Sequence, residues 1–314
     1  MAQIIRKNEA LLFHPPAELR IGRTYRPEND VTLYHGDCLD LLKSMPDGCA
    51  DLIVTSPPYN IGKEYEKRLD LATYLDQQRV GINECIRILN EHGSICWQIG
   101  NYVDRGAIVP LDSVLYPIFA DAGLRMRNRI VWHFEHGLHC TRRFSGRYEV
   151  IIWFTKSDEF VFNLDAVRVP QKYPGKKYFK GAKAGQYSCN PLGKNPGDVW
   201  TIPNVKHNHV EKTDHPCQFP VELIERLVLS MTNEGGLVVD PFLGVGTSAI
   251  AAVRHHRRAA GAEIVDKYVH TAKERLKLEA RGELKTRPMN QPVYTPRNEA
   301  VARNPFLLNP ESTR

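Results

Sequence analysis

Between Gly235 and Ile264 the chain reads as a buried strand, Leu237-Val238-Val239-Asp240, followed by a turn holding Gly244 and Gly246. A helix opened by Thr247 and Ser248 comes next, and then a second strand, Arg258–Ile264, that carries Glu263 near its end. The glycines let the backbone approach a ligand closely, and the start of the helix offers free N–H groups. An acid at the tip of the second strand can accept hydrogen bonds from ribose hydroxyls. The turn lacks the third glycine of the dinucleotide fingerprint. The unit therefore points to half of a nucleoside-cofactor site. Strands and helices alternate elsewhere too, which predicts a mostly parallel sheet covered on both faces.

A second unusual segment lies far upstream. Thr55-Ser56-Pro57-Pro58-Tyr59-Asn60 follows the strand-like run Asp51-Leu52-Ile53-Val54. Two consecutive prolines fix φ and remove two backbone donors, so the chain leaves the strand in a stiff loop whose carbonyls are free to accept. Tyr59 adds a flat face beside them. A stiff cluster of acceptors next to an aromatic platform suits an amino group on a planar ring. Two plainer readings stay open: Ser56 as a cap of the turn and Tyr59 as a core aromatic.

The two segments together resemble the S-adenosylmethionine-dependent DNA amino-methyltransferases, which modify adenine N6 or cytosine N4. The order is that of the permuted β class, with T-S-P-P-Y-N first and D-P-F-x-G-x-G-T last. His35-Gly36-Asp37-Cys38 and Thr213-Asp214-His215-Pro216-Cys217-Gln218-Phe219-Pro220 add to the likeness, which spans roughly residues 31–280. Phe219 replaces the lysine usual in H-P-x-Q-K-P, so no charge contact is expected from that position.

The resemblance implies a Rossmann-like, doubly wound α/β core with an inserted irregular recognition lobe. It implies S-adenosyl-L-methionine as cofactor and a catalytic set of Ser56, Pro57, Pro58 and Tyr59. Ser56 and the Pro57 carbonyl would accept from the target amine, and Tyr59 would stack on a base flipped out of the duplex. The implied cofactor contacts are Asp37, His215, Gln218, Asp240, Phe242, Gly244, Gly246, Thr247 and Glu263, with helix capping an equal explanation for Thr247. Serine at the first motif position points to cytosine, whereas Tyr59-Asn60-Ile61-Gly62-Lys63 looks more like the adenine enzymes. The balance falls narrowly to adenine N6, with cytosine N4 the alternative. Methylation of an RNA base or a protein glutamine is a rival, disfavoured because those enzymes usually carry the cofactor motif first. A DNA-binding regulator without activity is a further one, disfavoured by the intact motifs.

The middle of the chain supplies the expected DNA contact. Residues 168–212 hold nine Lys/Arg against Asp198 and Glu211, although the whole chain is only +6. Tyr173, Tyr178, Phe179, Tyr187 and Trp200 interleave with them, a composition suited to phosphates and bases. Lys172, Lys176, Lys177, Lys180 and Lys183 are the candidate contacts, and double-stranded DNA is the expected partner. Seven cysteines without C-x-x-C spacing read as reduced thiols, and the histidines lack the clustering of a metal site, so no metal is expected. No secretory or membrane-spanning segment is apparent, which predicts a cytoplasmic protein. A homo-oligomer, by default a dimer, follows from the resemblance.

The expected organisation is an N-terminal arm (1–30), a catalytic half of the core (31–164), a target-recognition region of loops (165–212), a cofactor half (213–282) and a proline-rich tail (283–314). Helices are expected at Cys38–Ser44, Leu71–Leu89, Pro110–Ala122, Val221–Met231 and Lys267–Arg281. Strands are expected at Val31–Tyr34, Asp51–Thr55 and Ser94–Ile99. Arg127–His133 and Val150–Phe154 are read as an antiparallel edge. The tail is expected to be mobile or to wrap a partner subunit.

Overall fold

Leu52, Val54, Cys96 and Val238 are buried in one apolar cluster, while their sequence neighbours Ile53, Ile95, Trp97 and Val239 are buried in another. Side chains alternate across a strand, so these runs mark the centre of a sheet covered on both faces. The computed structural model describes residues 19–294 apart from Tyr65 and Leu138.

The strands are β1 (Ile21–Gly22), β2 (Val31–His35), β3 (Ala50–Thr55), β4 (Leu89–Ile99), β5 (Asn101–Asp104), β6 (Ala107–Pro110), β7 (Arg125–His133), β8 (Tyr148–Thr155), β9 (Val199–Thr201), β10 (Leu237–Asp240) and β11 (Arg258–Glu263). The helices are α1 (Cys38–Ser44), α2 (Leu71–Ile88), α3 (Leu111–Asp121), α4 (Val221–Met231), α5 (Thr247–Arg254) and α6 (Asp266–Ala280). The main sheet runs β1-β2-β11-β10-β3-β4-β8-β7-β9, and β5 and β6 form a separate hairpin. Leu41, Ile82, Cys85 and Phe119 bring α1, α2 and α3 onto one face of the sheet. Leu227, Ile250 and Leu276 bring α4, α5 and α6 onto the other. The expected doubly wound α/β architecture is present.

β10 pairs in parallel with β3, so the strands carrying the two sequence motifs are neighbours. From there the chain proceeds to β4 on one side and to β11 on the other. Such a switch of direction opens a crevice at the carboxyl ends of the strands. Both motif loops emerge there.

The antiparallel element differs from the expectation. β8 alone runs against the other strands of the main sheet among the described residues, paired on one side with β4 and on the other with β7. The edge is β9, which pairs in parallel with β7. It comes from within 165–212, so that region is anchored in the sheet rather than being loops throughout. The arm expected at 1–30 is likewise tied down where described, because β1 extends the sheet beside β2. The tail docks on its own chain as far as it is described. Arg287 pairs with Glu222 of α4, and the Asn290 amide donates to Glu222 Oε1 at 2.8 Å. Arg226 Nη2 reaches Asn290 Oδ1 at 2.8 Å. Residues 295–314 lie outside the described part.

Candidate active site

A cavity of about 630 Å³ lies in the crevice, with Ser56, Pro57, Pro58 and Tyr59 on one wall and Phe242, Gly244, Thr247 and Glu263 on another. Asp37, His215 and Gln218 also line it. The two motifs, far apart in sequence, thus share a single space.

In the cofactor half, Glu263 accepts from the Gly244 amide at 3.0 Å through Oε2 and from the Val265 amide at 2.8 Å through Oε1. Burial holds its carboxyl above the usual range. Gly244 has φ +53°, and a Cβ there would lie 3.3 Å from His215 Nε2. His215 Nδ1 accepts from the Cys217 amide at 3.2 Å. Burial and then Lys212 push its pKa down to about 4, so the ring is neutral at pH 7. Asp37 caps α1, its Oδ1 accepting from the Leu39 amide at 2.8 Å.

Several of the expected contacts also hold the framework. Asp240 is 1% exposed and lies outside the cavity lining. Its carboxylate accepts from Thr55 Oγ1 at 2.6 Å, from Ser248 Oγ at 2.5 Å and from the Phe242 amide at 3.1 Å. It therefore ties β10 to β3 and to the start of α5, with burial raising its pKa to about 6. Gly246 also stands outside the lining, and a Cβ there would meet Ala272 Cβ at 2.9 Å. It permits the close approach of α5 and α6. Gln218 lines the cavity while its amide bonds Thr213 Oγ1 at 2.8 Å and the Glu211 carbonyl at 2.9 Å. Thr247 Oγ1 accepts from the buried Arg275 Nη1 at 3.2 Å.

The Ser56–Tyr59 loop has a directional network behind it. Tyr59 Oη lies 3.0 Å from Ser56 Oγ, and it donates toward Gln98 Oε1 at 2.9 Å and Glu149 Oε2 at 3.3 Å. Gln98 Nε2 donates to Glu149, which leaves its Oε1 facing the tyrosine. A phenol has one proton, and here both partners beyond it are acceptors. Ser56 is then the donor to Tyr59, and the lone pairs of its oxygen remain available to the cavity. The Pro58 carbonyl accepts from Tyr74 Oη at 2.9 Å. Close approach of Gly100 seats the Tyr59 ring, since a Cβ there would lie 3.1 Å from its Cε2.

Sequence reasoning passed over Gln98, Glu149, Gln78 and Trp97. Gln78 Oε1 and Trp97 Nε1 are buried without a hydrogen-bond partner, and both residues line the cavity. Buried polar atoms without partners are uncommon in folded proteins, so a bound molecule with its own donors and acceptors fits this space. The only signal for Gln78 is a polar residue at helical spacing between buried Tyr74 and Ile82. The five candidate lysines are exposed and none lines the cavity. Lys177 lies 5.1 Å from the Tyr187 ring, Lys183 6.0 Å from Tyr178 and Lys172 5.5 Å from Tyr173.

A parallel sheet with a glycine loop, an acid on the next strand and a proline-rich acceptor loop across the crevice defines a methyltransferase with a nucleoside cofactor. The sequence profile of the DNA methylase family, N6_N4_Mtase, matches residues 50–274. The chain is 52% identical over 241 residues to Type II methyltransferase M.BglII of Bacillus subtilis, covering 76% of this chain and 67% of that one. It is 31% identical to DNA adenine methyltransferase YhdJ of Escherichia coli K12, over 78% of this chain and 82% of that one. TTHA0409 of Thermus thermophilus, solved with S-adenosyl-L-methionine, superposes with a TM-score of 0.57 at 28% identity, over 80% of this chain and 94% of that one. The cytosine-N4-specific PvuII DNA methyltransferase shares the fold, with a TM-score of 0.64 at 20% identity over 85% and 95% of the two chains.

The chain belongs to the N6/N4 DNA methylase family. It is an S-adenosylmethionine-dependent DNA amino-methyltransferase.

Proposed function

We propose that this enzyme methylates cytosine N4 within a short duplex sequence, taking the target base out of the stack into the Ser56–Tyr59 wall. The observation that carries this reading is the fate of the residues that favoured adenine. Asn60 is buried, has φ +61°, and closes a ring with Leu69 through bonds of 2.8 and 2.6 Å. Gly62 also has positive φ, and Glu66 accepts from the Asn60, Ile61 and Lys63 amides. Asn60 and Ile61 line the cavity beside Ser56, but the Asn60 amide is bonded to Leu69 at both ends and Ile61 is apolar, so Ser56 is the motif side chain with lone pairs left to accept there. The named relatives divide between the two bases, so the reading rests on the site.

The bound cofactor supplies an electrophilic methyl group on a sulfonium. The chain must align the amine with it and carry charge that develops on nitrogen. An exocyclic amine is a poor nucleophile because its lone pair is delocalised into the ring. Acceptance by Ser56 Oγ and the Pro57 carbonyl draws the amino hydrogens out of plane and returns density to nitrogen. Gln98 and Glu149 act one step back by holding the serine in its accepting orientation. In the cofactor half, Glu263 and Asp37 would take hydroxyl and amine donors, Phe242 would pack against the nucleoside, and His215 and Thr247 would border its polar end.

The basic, aromatic-rich stretch 165–212 is assigned as the target-recognition region, with Lys172, Lys176, Lys177, Lys180 and Lys183 on phosphates. No helix among the described residues is long and apolar enough to cross a membrane. A DNA substrate supports a cytoplasmic location, and likeness to a Type II methyltransferase supports a protective role beside a nuclease; assembly as a homodimer rests on the family resemblance alone.

The test is to methylate unmodified genomic DNA and identify the products by mass spectrometry of nucleosides. N4-methylcytosine is expected. N6-methyladenine instead would overturn the base assignment, and methylation of neither would overturn the activity.

A further inference from the structure

We infer that the hairpin joining β7 to β8 is a second DNA-contacting element, in which Phe144 fills the gap left by the flipped base while Arg142 and Arg143 hold the flanking phosphates. The inference rests on the flipped-base reading above. β8 is antiparallel to β4, so its first residues stand at the carboxyl edge of the parallel strands, where the active site opens. His133 pairs with Tyr148, and the Phe134 amide donates to the Arg147 carbonyl at 2.8 Å, so the hairpin continues past the edge of the sheet. Its root is Glu149, the residue behind Tyr59. Phe144 lies five residues before it, a reach of at most about 18 Å.

The tip is built rather than loose. The Cys140 amide donates to Ser145 Oγ at 3.0 Å, which pinches off Thr141-Arg142-Arg143-Phe144. All four residues are exposed, and Phe144 is exposed to 101%. An aromatic ring wholly in water has no role in the core, and it loses apolar burial for as long as nothing covers it. No carboxylate occurs between Glu135 and Glu149, so the charges at the tip are all positive. Cations flanking a projecting apolar wedge, over a site that needs a base extruded, match duplex DNA. Such wedges enter an opened step while arginines neutralise phosphates. Phe179 is nearly as exposed, at 89%, and belongs to the basic region 165–212, with Lys180 Nζ 5.9 Å from its ring.

The experiment compares wild type, Phe144→Ala and Phe179→Ala in single-turnover methyl transfer with saturating S-adenosyl-L-methionine. One probe is a duplex carrying the site mapped from methylated genomic DNA. The other has an abasic site opposite the target base, so that no pair must be broken. Phe144→Ala should slow transfer roughly ten-fold or more on the paired duplex, because unstacking a step is costly. It should recover to within about two-fold of wild type on the abasic duplex. Phe179→Ala should show no such recovery. Arg142→Glu with Arg143→Glu should weaken binding of both duplexes and flatten the salt dependence. Wild-type speed of Phe144→Ala on the paired duplex would overturn the inference, as would a defect equal on both probes. A shift in oligomeric state on sedimentation of Phe144→Ala would instead make the tip a contact between copies of the chain. Failure of wild type on both probes would count against the flipped-base reading itself.

Discussion

Tyr59 Oη stands 3.3 Å from Glu149 Oε2, joining the Ser56–Tyr59 loop after β3 to the start of β8, ninety residues away. Gln98 completes the contact from β4. Burial holds the Glu149 carboxyl above its usual range, and burial together with Glu149 holds the Tyr59 phenol well above its own. The phenol therefore stays protonated and donates. Gln98→Ala should lower single-turnover methyl transfer about ten-fold, the value of a neutral hydrogen bond missing at the transition state. Cofactor affinity by calorimetry should stay unchanged. In a Ser56→Ala background the same change should add little, because its effect passes through Ser56. Additive losses would show that Gln98 acts otherwise.

Asp240→Ala should destabilise the fold by about 3 kcal/mol, since three buried donors lose one acceptor. Urea unfolding checks this. With a folded-state pKa of about 6 against an ordinary 3.8, this carboxyl binds more protons folded than unfolded between those values. Its contribution is fully present below the ordinary value and is lost as pH rises through about 6. Relative to Asp240→Asn, wild type should lose stability over that window. A pH-independent difference between the two would remove the raised pKa from the account.

Gly244→Val should abolish S-adenosylmethionine binding in a protein that still folds. The melt should fall as well, because φ +53° costs a side-chain-bearing residue about 1–2 kcal/mol and the added carbons press on His215. Wild-type affinity by calorimetry in the folded variant would displace the assigned pocket.

Glu263 supplies a pH test of the same pocket. Its carboxyl is raised by burial, so on acidification it protonates earlier than a surface glutamate. Protonation converts an acceptor into a donor, and cofactor affinity should weaken as pH falls toward that raised value. Glu263→Gln should flatten the profile while leaving weaker binding at pH 8. An identical pH profile in both proteins would take Glu263 out of contact with the ligand.

Much of this was legible from local signals. Asp37 before Cys38–Ser44 and Pro220 before Val221–Met231 mark helix starts, and both helices fall where the sequence puts them. Buried runs such as Val238-Val239 identify central strands without a partner being known. What was hidden depends on distant partners. β9 is three residues whose strand character comes wholly from pairing with β7. The β5–β6 hairpin is likewise short, and Arg287 shows nothing of its docking until Glu222 stands opposite. The same holds at the site. Glycines at 244 and 246 look alike in sequence, but one faces the ligand space and the other a helix. Glu149 reads as a strand residue until the fold places it behind Tyr59.

Reversal of Lys176, Lys177 and Lys180 to Glu tests the recognition region. These side chains are exposed, stand among aromatic rings and lie outside the cavity, so the cofactor site should be unaffected. A phosphate that is no longer neutralised keeps its counterions, and the slope of log K against log salt should flatten by about 0.9 for each such phosphate. Three of them would reduce it by roughly 2.7, and reversed charges should weaken affinity further at low salt. Methyl transfer at saturating DNA should then be near normal, because the Ser56–Tyr59 wall is untouched. Unchanged DNA affinity across the salt titration would move the interface off 165–212. The Arg142–Phe144 hairpin would then be the principal site of DNA contact.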